Sequence, residues 1–494
     1  MKKIIKITSL LVAILIGFVA CNEDYFDVNT PADSVDVDQL GMKDLMGPVL
    51  YNTMIAQYSA STGYSNYSQY IGGYGYSALG RSTFSGAWNS VYLSVLPNVR
   101  IIKQKAIDLN ATKYEAVAMI VEAANMGLAA DTWDAVPYSQ AVQPSAYPKP
   151  NFDAQETVYN EIFKLLDQAI VKLEGTDDSG YNLGSEDLIY GGNYDKWLRA
   201  AYTLKARYQL HLLKRGKATT ADILTNLSKG FVSNADNFVM NYPTDKLNPW
   251  YQNTILTRNT GNYFEAPCDQ LISMMNGKYY PFESGSVTED PRLPAIFDKT
   301  NPADPWRGGL NGGNGESSDG LPLNTYFKDG GYYTSATAPL VMITFAEALF
   351  IKAEAHFLAG GGTSTSSGAD AAAYDAYKLG IAASMAQFGV SGGAYLADTS
   401  VDVGAENLEL NHIMKEKYIA NILNSETYND FRRYNFSTDV FKGLQIRLGA
   451  EAEDPEFAGQ WFKRGDYPVS ERNANPDVVA EFEESPVTPV WWAQ

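Results

Sequence analysis

Cys21 is the first residue in the chain with chemistry to offer, because of what stands before it. Lys2, Lys3 and Lys6 make a basic start, Ile7 to Ala20 is a run of apolar and small residues, and the thiol follows the small Ala20 directly. Beyond it the chain turns polar and acidic, as Asn22-Glu23-Asp24-Tyr25-Phe26-Asp27. A basic start followed by such an apolar run reads as a secretory signal, and it is shorter than the ~20 apolar residues of a spanning helix. With a cysteine at the boundary, the expected chemistry is acylation: residues 1–20 form a lipoprotein signal peptide, and the Cys21 thiol carries lipid. Phe18-Val19-Ala20 departs from the usual pattern, which has Leu at the first of these positions. The alternative is an ordinary cleaved signal with a chance cysteine.

Catalytic chemistry has less to stand on. Asp131 and Asp134 flank Trp133, and Glu347 and Glu354 share one helical stretch. Paired carboxylates could serve a glycosidase if they faced each other across a cleft. With 57 acids in the chain, however, such pairs arise by chance. The three histidines, His211, His356 and His412, are far apart, and the first two fall within helical stretches where a structural role is expected. No nucleophile elbow, phosphate loop, HExxH or CxxC is present, and Asn311-Gly312-Gly313-Asn314-Gly315 lacks the flanking strand and helix of a phosphate site. The expectation is a chain that is not an enzyme and has no cofactor or metal.

Aromatic residues on loops offer a third kind of chemistry, stacking. The chain has 33 Tyr and 8 Trp, many in Gly/Ser/Asn-rich stretches rather than on periodic helix faces. Residues 59–85 show no stable period and carry Tyr64, Tyr67, Tyr70, Tyr74 and Tyr76; residues 241–335 carry Trp250, Tyr251, Trp306, Tyr326 and Tyr332–Tyr333. Amphipathic rings of this kind stack on sugars or on peptide side chains. Long irregular segments are commonly functional.

Helices must position these loops. Val158, Ile162, Leu165, Ala169 and Leu173 recur at helical spacing, as do Trp197, Ala201, Leu204, Tyr208 and Leu212, and Ile343, Ala346, Phe350, Ala353 and Phe357. Further helical stretches are 86–107, 112–130, 370–388 and 405–423, with Thr363–Gly368 a loop between two of them. Residues 21–38 read as a lipidated cysteine and an acidic tether, and 39–494 as a single, mostly α body of helical pairs wrapped by loops. The tether brushes against a calcium-loop spacing, but Pro31 stands where a ligand should be and Ala32 where Gly is needed. The formal charge of −19 repels phosphate backbones and anionic head groups, which excludes nucleic acid as a partner and leaves lipid as the means of membrane attachment. Cys268 is the only cysteine besides Cys21, so a lipidated chain has no intramolecular disulfide.

Several segments carry a family resemblance. They are Cys21 with its acidic cluster and Tyr25-Phe26-Asp27-Val28-Asn29-Thr30-Pro31; Asp131-Thr132-Trp133-Asp134-Ala135-Val136-Pro137-Tyr138-Ser139-Gln140-Ala141; and Pro148-Lys149-Pro150 leading through Asp153 to Tyr159. Tyr194-Asp195-Lys196-Trp197 through Lys205-Ala206-Arg207, the helix-like Pro339 to Ala355, Asn429 to Arg433, and Arg464 to Asn473 follow in order. Together they resemble the SusD/RagB family of nutrient-binding outer-membrane lipoproteins, in its SusD-like branch. The second segment departs in having Asp134-Ala135 where the family has Gly-Asp. The resemblance implies tetratricopeptide-like helical pairs supporting a loop-rich, irregular substrate-binding face. It implies a lipid anchor in the outer membrane, cell-surface exposure, and a TonB-dependent SusC-like transporter as partner. It also implies that Asp131, Glu347, Lys352, Glu354, Arg432 and Arg433 hold helices together, leaving ligand contacts to the aromatic loops.

The expected function is therefore capture of an oligosaccharide for import, without bond making. Trp88 and Asn89 are the first candidate contacts, followed by Tyr64, Tyr67, Tyr74, Tyr76, Trp306 and Tyr326; each could instead be a packing residue. Trp250, Trp491 and Trp492 are expected to pack. A peptide cargo in the same family, a helical adaptor that binds no small ligand, and a lipid-anchored glycoside hydrolase are the alternatives.

Overall fold

The computed structural model describes residues 39–72, 80–262, 265–449 and 455–494. Cys21, the signal and the tether lie outside the described residues, as do Tyr74 and Tyr76. The body is mostly helical. Its longer helices are α1 (Met42–Tyr67), α2 (Leu96–Asp108), α3 (Thr112–Trp133), α4 (Gln155–Glu174), α5 (Tyr194–His211), α6 (Thr220–Leu227), α7 (Phe345–Ala359), α8 (Ala371–Gln387), α9 (Leu410–Ala420) and α10 (Glu426–Arg433). A short helix, Ser85–Asn89, runs through a π-helical turn, Ser90–Val95, into α2. Shorter helices and three two-stranded antiparallel pieces accompany them: β1 (Val136–Pro137) with β2 (Phe152–Asp153), β3 (Phe238–Asn241) with β6 (Pro339–Ile343), and β4 (Phe297–Lys299) with β5 (Thr325–Phe327).

Successive helices pack in a chain: α2 on α3, α3 on α4, α4 on α5 and α5 on α6, while α7 packs on α6, α8 and α9. The stripes read from the sequence are the buried ones. On α4, Val158, Ile162, Leu165, Ala169 and Leu173 all face inward, and on α5 Trp197, Ala201, Leu204 and Tyr208 do. Each such side chain contributes about 1.5–3 kcal/mol when fully buried. Local chemistry fixes the helix starts. The Asn193, Thr344 and Asp370 side chains accept backbone N–H groups at the starts of α5, α7 and α8, and Thr219 forms a capping box with Asp222 on α6.

Two expectations are corrected. Pro339–Ile343 is strand β6 rather than the start of a helix, because it pairs with β3 before Thr344 caps α7. Residues 59–67 are helical, forming the end of α1.

Inside the helical stack lies a chain of buried charges. The His211 ring, fully enclosed, reaches the Glu426 carboxylate through Nε2 at 2.7 Å and the Tyr159 hydroxyl through Nδ1 at 2.8 Å, and that hydroxyl donates to Asp131. Trp492, also fully buried, donates to Asp131 Oδ1 at 2.9 Å and stacks on His211 with ring centres 5.1 Å apart. Arg207 holds Glu347 with two bonds of 2.7 Å and lies 3.7 Å from Glu426. A second cluster joins Arg433 to Glu354 at 2.7 Å and Lys417 to Asp430 at 2.8 Å. Arg432 donates to the Asp131 carbonyl and to the Asn429 amide oxygen. Of the charged residues assigned to holding helices together, Lys352 alone is exposed, on the outer side of α7.

Burial disfavours a charged His211, but the carboxylates of Glu426 and Asp131 outweigh it and raise its pKa from 6.5 to about 9. The folded state thus holds a proton that the unfolded chain releases near pH 6.5. The stability this contributes, of the order of 3 kcal/mol, is complete below pH 6.5 and lost as pH rises to about 9. Urea unfolding of the wild-type chain is expected to show that decline, and His211→Gln to be destabilised at neutral pH with the decline flattened. Arg207→Met leaves the buried Glu347 carboxylate uncompensated and is expected to cost about 3–5 kcal/mol. Adding Glu347→Gln should recover part of that loss in a double-mutant cycle.

Candidate ligand-binding face

Several irregular segments meet past the end of α1, where backbone hydrogen bonds lace them together. Past the end of α1 the chain turns so that Tyr70 and Ile71 both donate to the Ser65 carbonyl. Tyr70 then accepts from Cys268, Gly72 donates to Ala266, and Asp269 donates to Gly309. Asn311 donates to the Asn66 carbonyl and accepts from Leu448. Across the face Arg81 pairs with Asp466 at 2.9 Å. The approach is close enough to require glycine: a Cβ on Gly72 would lie 2.5 Å from the Cys268 sulfur, and one on Gly308 2.5 Å from the Cys268 carbonyl carbon.

Two clefts flank the 66–72 ridge. The wider, of about 450 Å³, lies between α1 and the turn of residues 82–86 and is edged by Tyr58, Thr62, Asn66, Ser82, Ser85 and Glu265. Polar and apolar surface share its lining about equally, the polar part coming mainly from hydroxyl groups. Its lip is strained: Phe84 adopts the left-handed φ of 47° directly before the Ser85 helix, a conformation that costs of order 1–3 kcal/mol. The phenyl ring is wedged beneath, 5.0 Å from the Tyr64 ring. Glu265 has a buried Oε2 with no hydrogen-bond partner, and burial pushes its pKa up to about 7. Tyr58 beside it accepts from the Asn253 amide at 2.6 Å; burial, and then the Glu265 charge, push its hydroxyl well above the usual range.

The narrower cleft, of about 150 Å³, is built from Gln69, Asp269, Lys278, Tyr279, Asn311 and Ser318 among others. Lys278 lies 3.2 Å from the Asp269 carboxylate and 5.3 Å from the centre of the Tyr279 ring. Ser318 donates to the other Asp269 oxygen at 2.8 Å. The Asn311 Oδ1 is buried with no partner.

The sequence candidates fall into three groups. Tyr64, Tyr67 and Trp88 lie under the face as part of its packed floor. The Tyr64 hydroxyl bonds Thr132 at 2.6 Å, Tyr67 donates to the Gly80 carbonyl at 2.8 Å, and Trp88 meets Trp133 edge-on with ring centres 4.9 Å apart. Each is under 10% exposed, so their rings support the face rather than present themselves on it. Asn89, next to Trp88, is exposed. Trp306 lies beside the β4–β5 pair and Tyr326 on β5, both half-buried, and Arg307 donates to Thr325, the residue before Tyr326. The Trp306 indole donates to Glu289 at 2.6 Å, with Lys299 4.6 Å from its ring centre, and Arg258 lies 3.9 Å from that of Tyr326. Neither paired-carboxylate arrangement opens on a cleft: Glu347 and Glu354 are fully buried against Arg207 and Arg433, and Asp131 sits in the His211 network. Glu265, Asp269, Lys278 and Tyr279 had no mark in the sequence, since their importance comes from which chain segments meet.

The described residues include no helix long and apolar enough to cross a membrane. The family model described as "Starch-binding associating with outer membrane" matches residues 36–444. A comparison with curated proteins returns no match. Among solved structures, the fold is similar to that of a SusD/RagB family protein from Bacteroides thetaiotaomicron, with 24% identity, a TM-score of 0.70, and coverage of 92% of this chain and 99% of the other. A SusD homologue from Bacteroides uniformis is similar at 21% identity and a TM-score of 0.72, with 92% and 99% covered. A chitin-binding SusD homologue from Flavobacterium johnsoniae is similar at 22% identity and a TM-score of 0.70, with 92% and 98% covered. The mostly helical fold, its order of elements and the match over most of its length place this chain in the SusD-like family.

Proposed function

We propose that the chain captures an oligosaccharide at the cell surface and passes it to a SusC-like TonB-dependent transporter, without making or breaking a bond. The observation that carries this reading is the pair of clefts on the loop-built face, rich in hydroxyl, amide and carboxylate groups and edged by tyrosines. A saccharide offers donors and acceptors all round its ring and apolar patches on its faces, which match such a lining. The family description, with its starch binding and outer-membrane association, supports the same reading, as does the chitin-binding relative. Within it, Asn89, Trp306 and Tyr326 are contacts on or beside the face. Tyr74 and Tyr76, outside the described residues, are assigned as further contacts on their aromatic chemistry alone. Tyr64, Tyr67 and Trp88 act by supporting the face from below. Lipid on Cys21 anchors the chain to the outer membrane.

Affinity electrophoresis and calorimetry of residues 22–494 against polysaccharides and peptide digests test the cargo. Binding to a glycan is expected to weaken about three- to tenfold in Tyr279→Ala, the loss of one aromatic contact of ~0.5–1.5 kcal/mol, with a cooperative urea unfolding transition retained. Binding to peptides alone would overturn the saccharide reading. Separately, cells grown with labelled fatty acid are expected to label the full chain, and Cys21→Ala to abolish the label and release the protein from the membrane fraction.

A further inference from the structure

Glu265 is an anomaly in a chain that otherwise partners its buried charges with care. Asp290, Glu347, Glu354, Glu416 and Glu426 are each enclosed, and each has a cation or a histidine within hydrogen-bond reach. Among the described residues Glu265 has none: its Oε2 is buried without a hydrogen-bond partner, and no cation there acts on it. Its backbone N–H is spent on the Asn253 carbonyl at 3.0 Å, which fixes the residue against the 253–256 turn and leaves the side chain on the wall of the wider cleft. Leaving a carboxylate so placed costs free energy that a neutral residue would not. A group kept at such cost beside a polar cavity is a candidate for recognition.

We propose that the cleft between α1 and the 82–86 turn is a saccharide subsite anchored by Glu265, whose carboxylate accepts hydrogen bonds from neighbouring hydroxyls of one sugar ring and is left without acceptor duty until that ring arrives. This rests on the saccharide reading and adds to it a residue, a chemistry and a linkage to protons. The hydroxyls of Ser82 and Ser85 and the amide of Asn66 supply the other half of the pattern, able to donate to ring and glycosidic oxygens. Tyr58 on α1 and Cys268 in the adjoining segment are the titratable groups that feel the Glu265 charge, and both are themselves held neutral by burial. Burial alone raises Glu265, with no lysine, arginine or histidine acting on it. The empty cleft therefore holds a carboxyl that is protonated below about pH 7. Two hydroxyl donors favour the charged form, so a sugar displaces the proton as it binds. Capture is then tighter at pH 8 than at pH 5.5. The protonated fraction must first ionise, and apparent affinity falls with the competent fraction.

Calorimetry of residues 22–494 with maltoheptaose and with chitohexaose tests this, at pH 5.5 and 8 and in phosphate and Tris buffers. The expected result is affinity about thirtyfold weaker at pH 5.5 and release of about one proton near pH 6. In Glu265→Gln, binding at pH 8 should be weaker by about tenfold, with no remaining difference between the two pH values. That variant is expected to melt no lower than the wild type at pH 8, since it removes an uncompensated charge. Thr62→Trp fills the cleft from its half-buried rim and should abolish binding. A probe that binds equally at both pH values without proton release, or that ignores Thr62→Trp, overturns the subsite and leaves the saccharide reading intact. Tighter binding at pH 5.5 overturns it too, because the carboxyl would then be the donor. Binding of neither probe overturns the subsite together with the reading on which it rests.

Discussion

A protonated histidine held between two carboxylates organises this molecule. His211 lies on α5, Asp131 on α3 and Glu426 on α10, so one ring ties together helices from distant parts of the chain. Tyr159 from α4 relays the contact to Asp131, Arg207 extends it to Glu347 on α7, and Trp492 closes it from above. Buried ions are expensive, and a purely apolar core of the same shape could be as stable. What they add is directionality. Leu against Leu tolerates a helix that slides or rotates, whereas a bond from Nε2 to a carboxylate at 2.7 Å does not. A stack of helical pairs has many near-equivalent ways to pack, and this network removes most of them.

That rigidity is what the loop-built face needs beneath it. The segments that form the clefts have little regular structure of their own and are held by single backbone bonds, such as Cys268 to Tyr70 and Leu448 to Asn311. Their relative positions follow from the ends of α1, α9 and α10, and those ends are fixed by the ionic clusters and by the aromatic floor of Tyr64, Tyr67, Phe84 and Tyr428. The uncompensated carboxyl of Glu265 and the left-handed Phe84 are tolerated locally because the scaffold is strong elsewhere.

The sequence made the scaffold legible where helices have one wet side. The stripes on α4 and α5 named residues that are buried, because each helix keeps an exposed face against which the stripe stands out. α1 is the opposite case. It is packed on most sides, and its inner positions are Ser, Gly, Asn and Tyr as well as aliphatic, so no period marks it. Tyr64 and Tyr67 therefore read as loop aromatics, although they are helical and enclosed. Trp88 misled for a related reason: a ring beside a polar, glycine-rich stretch reads as exposed, and here the following helix turns it into the core. The polar residues of the clefts are harder still. Nothing about Glu265 in sequence distinguishes it from the other acids; its character comes from which partners fail to reach it, a property of the folded molecule alone.

The spacing of the His211 network along the chain has a kinetic consequence. His211 precedes Glu426 by 215 residues, and Asp131 precedes Trp492 by 361. A growing chain therefore carries its central histidine and aspartate for most of its length without Glu426 and Trp492, which complete their bonding. The early helices α3, α4 and α5 can form, but the polar seam between them is unfinished and water has no reason to leave it. Commitment to the native state waits on contacts of very high sequence separation, which are slow to close.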